Sequence, residues 1–192
     1  MDESFFDLFI LKNFFDVATS RELIAEMRSC TPAPALTYGK GEAAIDERVR
    51  RVRQVSISPA SASFVARRLE DLREPIAEHF GIKLTNFEEP QFLRYRVGDF
   101  FVAHQDGNTG LVNLDTDRTR RISVSIFLNH QSVTPEPDTY GGGALVFSDW
   151  RSGKRHDVYG EAGMLVAFRS ELTHEVTPVT QGDRFVIVTW YR

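Results

Sequence analysis

A single cysteine, Cys30, in 192 residues excludes an internal disulfide framework and a thiolate metal cluster. No apolar run approaches the roughly 18 residues that a spanning helix needs, and the acidic start MDES does not read as a signal peptide. An excess of charge of one sign is missing as well. The 23 Lys and Arg against 27 Asp and Glu leave a formal net charge of -4, which gives no general attraction to nucleic acid or to an anionic membrane surface. Repeats and low-complexity tracts are also lacking. These absences lead us to expect a cytoplasmic protein with no nucleic-acid or membrane partner. The 42% hydrophobic and 26% charged content is that of an ordinary globular chain. The length suits one domain spanning residues 1–192.

The pattern runs from α to β. Residues 5–15 (FFDLFILKNFF) suggest a first strand, and Thr19 with Glu22 forms a capping box before a helix over about 20–29. Residues 31–44, with Pro32, Pro34, Gly39 and Gly41, read as a loop. The run RVRRVRQVSIS resembles a strand, and its Arg48, Arg50, Arg51 and Arg53 read as a solvated edge in preference to the alternative, an anion-binding patch. A second helix is expected from about Ser61, with Leu69, Leu72, Ile76 and Phe80 at helical spacing, a kink or early end at Pro75, and a stop at Gly81. From Glu89 onward eight short apolar segments alternate with turn-rich stretches. Gly98–Asp99 and Ser152–Gly153 look like hairpin turns. This is an α+β chain, mostly β, whose strands suit a sandwich or jelly roll flanked by N-terminal helices. Residues 1–88 form its helical support and 89–192 its core.

Three polar residues stand out against that pattern. His104 and Asp106, in FFVAHQD, lie two apart, so an extended chain turns both to one side; His174, in ELTHEV, must arrive from another strand. Two imidazoles and a carboxylate on one face of an ion leave its other positions open, the arrangement of non-heme Fe(II) oxygenases. Oxygen and nitrogen donors alone also suit Mn(II) or Zn(II). Arg184 sits inside the apolar run RFVIVTWY, where a guanidinium needs an anion, best a bidentate carboxylate such as the distal one of 2-oxoglutarate. A strand from Glu175 and Val176 running beside the last strand would bring Arg184 near the metal. His79, His130 and His156 are expected at helix-end or solvent-facing positions with no ligand role.

The motifs RYRVGDFFVAHQD, IFLN, YGGGALVF, GMLVAFRSELTHEV and GDRFVIVTWY, spread over about half the chain, resemble the prolyl 4-hydroxylase-like Fe(II)/2-oxoglutarate dioxygenases, and within them the oxygen-sensing prolyl hydroxylases. The resemblance implies a double-stranded β-helix core. It implies Fe(II) at His104, Asp106 and His174, with 2-oxoglutarate and O2 as cosubstrates and ascorbate as an auxiliary. Arg184 would bind the distal carboxylate and Tyr95 would lie beside the cosubstrate. A tyrosine that helps to hold the cosubstrate in the resembling enzymes is matched by Phe127, and Ser125, two residues earlier on the same strand face, is the candidate replacement. Phe101, Val166 and Trp190 are candidate walls. The loop 31–47 would act as a lid over a protein or peptide substrate, with Tyr38 and Arg53 as contacts.

The activity this implies is hydroxylation of an unactivated C–H bond, foremost of a prolyl residue, with release of succinate and CO2. Hydroxylation of a free amino acid or other small-molecule substrate is the alternative. A nucleic-acid demethylase is disfavoured by the acidic balance and by Arg192 standing eight residues after Arg184. A metal or keto-acid sensor without turnover is the non-enzymatic alternative.

Overall fold

A computed structural model describes residues 5–35, 37–39, 42–44, 46–107, 119–134 and 136–192, with only the backbone of 37–39 and 42–44. The N-terminal part contains β1 (Leu8–Leu11), α1 (Val17–Ser29), β2 (Pro32–Pro34), β3 (Thr37–Gly39), β4 (Glu42–Ala44), β5 (Arg50–Arg51), β6 (Arg53–Val55), α2 (Pro59–Glu70) and α3 (Arg73–Phe80). Then come β7 (Gln91–Tyr95), β8 (Phe100–His104), β9 (Ile122–Phe127), β10 (Gly141–Gly142) and β11 (Leu145–Asp149). The last elements are β12 (Lys154–Val158), β13 (Leu165–Arg169), β14 (His174–Val176), β15 (Val179–Gln181) and β16 (Arg184–Tyr191). Among the described residues no helix is long and apolar enough to cross a membrane.

Two antiparallel sheets carry the molecule. The larger has the order β1-β13-β9-β16-β7-β6-β2 and the smaller β12-β11-β14-β8-β5. One face of the larger sheet packs against the helices: Phe92, Ile122, Val124, Ile126, Phe185, Ile187 and Tyr191 share a core with Leu23, Met27, Val65, Leu69 and Ile76. The alternate residues of the same strands, Ser123, Ser125, Arg184, Val188 and Trp190, line a cavity whose other lining includes Phe101, Leu145, His174 and Val176 of the smaller sheet. Covering on both faces explains why RFVIVTWY reads as a nearly unbroken apolar run rather than an alternating one.

Several local expectations shift. The first strand is confined to Leu8–Leu11 because Asn13 takes a left-handed backbone (φ 58) and turns the chain. Asp16, not Thr19, caps α1, its carboxylate accepting the Thr19 N–H at 2.7 Å. The second helix breaks at Asp71–Leu72, so Pro75 falls in the first turn of α3, where its missing N–H had no helical acceptor to lose. Gly81 ends α3 in the left-handed conformation, as expected. The expected loop 31–44 contains β2, paired with β6, and the hairpin of β3 and β4. Ser152–Gly153 does join a hairpin, β11 to β12. Gly98–Asp99 instead makes a corner, because β7 belongs to the larger sheet and β8 to the smaller.

RVRRVR also crosses between sheets: β5 pairs with β8, β6 pairs with β7, and Val52 between them is buried. It is therefore not a uniformly solvated edge, and Arg50 is itself buried.

Gly163 ties the helical layer to the larger sheet. Its φ of 77 is left-handed, and a Cβ there would overlap the carbonyl of Phe15, whose N–H donates back to the Gly163 carbonyl at 3.2 Å. Gly163→Ala should therefore destabilise the fold by about 2–4 kcal/mol, read as a lowered urea midpoint. An unchanged midpoint would show that the Phe15 turn is free to move away.

Candidate metal centre and anion pocket

His104 closes β8, and Asp106 lies two residues past it. His174 opens β14, which pairs directly with β8 so that His174 stands opposite His104, their ring centroids 4.3 Å apart. In each imidazole Nδ1 lies against a backbone carbonyl, Val102 at 2.8 Å for His104 and Leu172 at 2.9 Å for His174. A carbonyl can only accept, so each Nδ1 carries the proton and each Nε2 is left as a free lone pair. Both Nε2 atoms converge on Asp106, His104 at 3.4 Å from Oδ1 and His174 at 3.4 Å from Oδ2. One donor atom from each residue falls within 4.8 Å of the others, so the group could hold a metal ion.

Burial sets the protonation of the group. It pushes His174 down to about 4, helped by His104 and only partly opposed by Asp106. For Asp106 burial pushes upward, but His174, His104 and a hydrogen bond from Trp190 outweigh it and hold the carboxyl below the usual range. At neutral pH this amounts to a neutral imidazole and a carboxylate, the forms a cation requires.

Arg184 faces the same cavity from the larger sheet. The expectation that His174 and Arg184 lie on neighbouring strands is not met, since β14 pairs with β8 and β11 whereas β16 pairs with β7 and β9. The metal-ligand types and the cation therefore meet across the cavity rather than along one sheet. Arg184 is 1% exposed, and its guanidinium carbon lies 5.0 Å from the ring centroids of both Tyr95 and Phe127. Its Nε and Nη1 find no hydrogen-bond partner among the described residues. A buried guanidinium left in that state is costly unless an anion fills the space. Arg184 starts its strand at a fixed point because Asn129 accepts the Phe185 N–H and donates to the Asp183 carbonyl.

Other expected site residues separate. Tyr95, Ser125, Phe101 and Trp190 line the cavity; Val166 and Arg53 are not among its lining residues. Val166 packs with Phe127, Leu145 and Phe168, and Arg53 donates to Glu47 at 3.1 Å. The Tyr38 side chain lies outside the described residues. His79 pairs with Asp7 at 3.0 Å, and His130 and His156 stand apart from the cavity lining.

Two functional candidates were not assigned to the site from the sequence: Tyr140, and Arg50, whose run was read as a solvated edge in preference to an anion-binding patch. Arg50 lines the cavity with its guanidinium carbon 4.9 Å from the centre of the Phe101 ring, which stacks on His104 at 3.5 Å. Tyr140 is fully buried beside Arg184, whose charge partly offsets the upward push of burial on the phenol. Gly143 leaves the room: a Cβ there would come within 3.1 Å of Arg184 Cδ and 3.3 Å of Tyr140 Cε2. The run of three glycines after Tyr140 was the only signal in the sequence that a bulky pair approaches there.

The depressed His174 value has a consequence for stability. Unfolded, the imidazole takes a proton near 6.5; folded, only near 4. The unfolded chain thus binds more protons between these values, and stability must fall as pH drops through that window, by about 3 kcal/mol in all. In chelator-treated protein this should appear as a falling urea midpoint from pH 7 to pH 4. His174→Asn should flatten that slope; an equally steep slope in the variant would place the proton uptake elsewhere.

Comparisons with known proteins agree with this geometry. Residues 90–192 match the family model described as the 2OG-Fe(II) oxygenase superfamily. A PKHD-type hydroxylase of Paracoccus denitrificans is 32% identical over 181 residues, covering 91% of this chain and 74% of the relative. Curated PKHD-type hydroxylases of Shewanella are longer, and the chain aligns with 42% of their length. The crystal structure of a Pseudomonas putida prolyl-4-hydroxylase superposes with a TM-score of 0.71 at 26% identity, covering 100% of this chain and 95% of that one. A Trichoplax adhaerens prolyl hydroxylase, in complex with a hypoxia inducible factor oxygen degradation domain peptide fragment, superposes with a TM-score of 0.74 at 18% identity, covering 97% and 84%. With a family match over more than half its length and two imidazoles and a carboxylate facing a buried arginine, the chain belongs to the 2OG-Fe(II) oxygenase superfamily.

Proposed function

We propose that this protein hydroxylates a prolyl residue in a peptide or protein, using Fe(II), 2-oxoglutarate and O2 and releasing succinate and CO2. The observation that carries the reading is the pairing, across one cavity, of the His104, Asp106 and His174 donors with the buried and incompletely bonded Arg184. In this reading residues 1–192 act as one unit, residues 89–192 being a double-stranded β-helix catalytic core and 1–88 its support.

His104, Asp106 and His174 would hold the iron, which supplies the activation of O2 and the oxidative decarboxylation of the keto acid. Arg184 would hold the distal carboxylate, with the Tyr95 and Phe127 rings, both 5.0 Å from the guanidinium carbon, excluding water from it. Tyr140, rather than Ser125 alone, is then the hydroxyl that supports that anion where Phe127 lacks one. The backbone carbonyls of Val102 and Leu172 keep both imidazoles in the tautomer that presents Nε2. The prolyl assignment draws on the likeness to the two prolyl hydroxylase structures and on the hydroxylase names of the curated relatives. Tyr38 on β3 stays assigned to peptide contact.

Arg50 supports a second reading, hydroxylation of a free amino acid or other small acid. A second guanidinium in the cavity lining, stacked over Phe101 on the His104 side, is suited to a substrate carboxylate.

Incubating the protein with Fe(II), 2-oxoglutarate and 18O2, in the presence of a pool of proline-containing peptides and of free amino acids, separates these readings. Mass spectrometry should find one 18O atom in prolyl residues of peptides. Label confined to free amino acids would favour the second reading, and succinate release without label in either pool would remove both.

The anchor is tested by binding. Arg184→Lys keeps the charge but not the fork, and Tyr140→Phe removes a hydroxyl facing a charged group, a loss of about 1.5–3 kcal/mol or roughly 10- to 100-fold in affinity. Titration calorimetry should therefore show weaker 2-oxoglutarate binding in both, with Mn(II) binding unchanged. Wild-type affinity for 2-oxoglutarate in both variants would place the anchor elsewhere.

A further inference from the structure

Asp106 is held by unusual means. It lies beyond the end of β8, so no strand ladder fixes it; its N–H donates to the Ser170 carbonyl at 2.9 Å, and its own carbonyl accepts from Arg120 Nη1 at 3.3 Å. Trp190 lines the same cavity as the Asp106 carboxylate, and its indole N–H, a donor only, favours the charged form of that carboxyl. Arg120 lies over the Trp190 ring, its guanidinium carbon 3.9 Å from the centroid. The same guanidinium is clamped by Glu88, Nε to Oε1 and Nη2 to Oε2, both at 2.7 Å. Glu88 also accepts from Arg192 at 2.9 Å. Its backbone is stitched to β16: the Glu88 N–H donates to the Trp190 carbonyl at 2.9 Å, and the Thr189 hydroxyl donates to the Glu88 carbonyl at 2.6 Å.

These contacts form one frame. Glu88 fixes the plane of Arg120, Arg120 fixes both the Trp190 ring and the Asp106 backbone, and Trp190 fixes the Asp106 carboxylate. Without the frame, a carboxylate whose two oxygens lie equally far from two imidazole nitrogens, 3.4 Å each, could rotate between them. We propose that Glu88, Arg120 and Trp190 are positioning residues that orient the Asp106 carboxylate for a divalent cation. Glu88 lies before residue 90, outside the matched family segment, so this part of the frame comes from the N-terminal half of the chain. The inference rests on the metal-site reading above. Groups that orient metal ligands typically account for 10–100-fold in metal affinity.

The test measures Mn(II) binding to chelator-treated protein by calorimetry and by electron paramagnetic resonance, with folding checked by circular dichroism. Trp190→Phe keeps the ring but loses the N–H; Arg120→Lys keeps the charge but loses the planar fork and stack. Both should weaken Mn(II) binding by about 10- to 100-fold and alter the resonance of the bound ion. The double variant should be little worse than the weaker single one, because both act through one carboxylate. Glu88→Gln should shift binding in the same direction by less. In Glu88→Gln, whose residue lies outside the cavity lining, 2-oxoglutarate affinity at saturating Mn(II) should stay within about threefold of wild type, since Arg184 is untouched.

Wild-type affinity and line shape in folded Trp190→Phe and Arg120→Lys, alongside a large loss in His174→Ala, would overturn this inference alone. Wild-type affinity in His174→Ala as well would overturn the metal-site reading and this inference with it.

Discussion

A guanidinium withdrawn from water, with two of its nitrogens unmatched among the described residues, is the constraint around which the cavity wall is built. Arg184 can be kept there only if the walls are rigid enough that water cannot enter and the backbone cannot retreat. The Tyr95 and Phe127 rings, the close approach allowed at Gly143, and the Asn129 hydrogen bonds at the start of β16 meet that need. What remains is a charge that an anion can satisfy better than the protein does. One wall of the cavity therefore presents a buried, incompletely bonded cation.

The second half of the site follows from strand pairing. Because β14 lies antiparallel to β8, His174 and His104 stand opposite each other without help from their side chains. The carbonyls of Val102 and Leu172 then settle which nitrogen each presents. Only Asp106, past the strand end, needs side chains to hold it, and the stack of Arg120 on Trp190 lies against it. Arg50 and Phe101 close the His104 side. The cavity thus has a cation at the Arg184 wall, a cation near His104, and the donor triad in the same lining.

Arg184 stood out in the sequence because it lies inside an apolar run, and His104 with Asp106 because their i, i+2 spacing follows such a run; the structure brings them together with His174 in one cavity lining. The eight β segments of the C-terminal half were legible because they are short, apolar and separated by turn residues. Elements whose identity depends on a partner were not. Asp16 was passed over as a cap because Thr19 and Glu22 made a better local pattern, and β2 and the hairpin of β3 and β4 lay in what the prolines and glycines marked as loop. Arg50 and Arg53 look alike in RVRRVR; the first is buried in the cavity and the second pairs with Glu47.

The sequence alone thus determined which segments would be apolar and strand-forming, and that Ser125 and Phe127 share one face of β9. Periodicity and polarity are properties of single segments, so a single segment suffices to read them. Tertiary structure decided which segments meet: that β14 joins β8 and not β16, that Gly98 turns a corner and not a hairpin, and that Glu88 reaches Arg120 across 32 positions. Those outcomes turn on sheet register and on sharing a buried charge among distant groups. Such energies belong to pairs of segments, and no local pattern carries them.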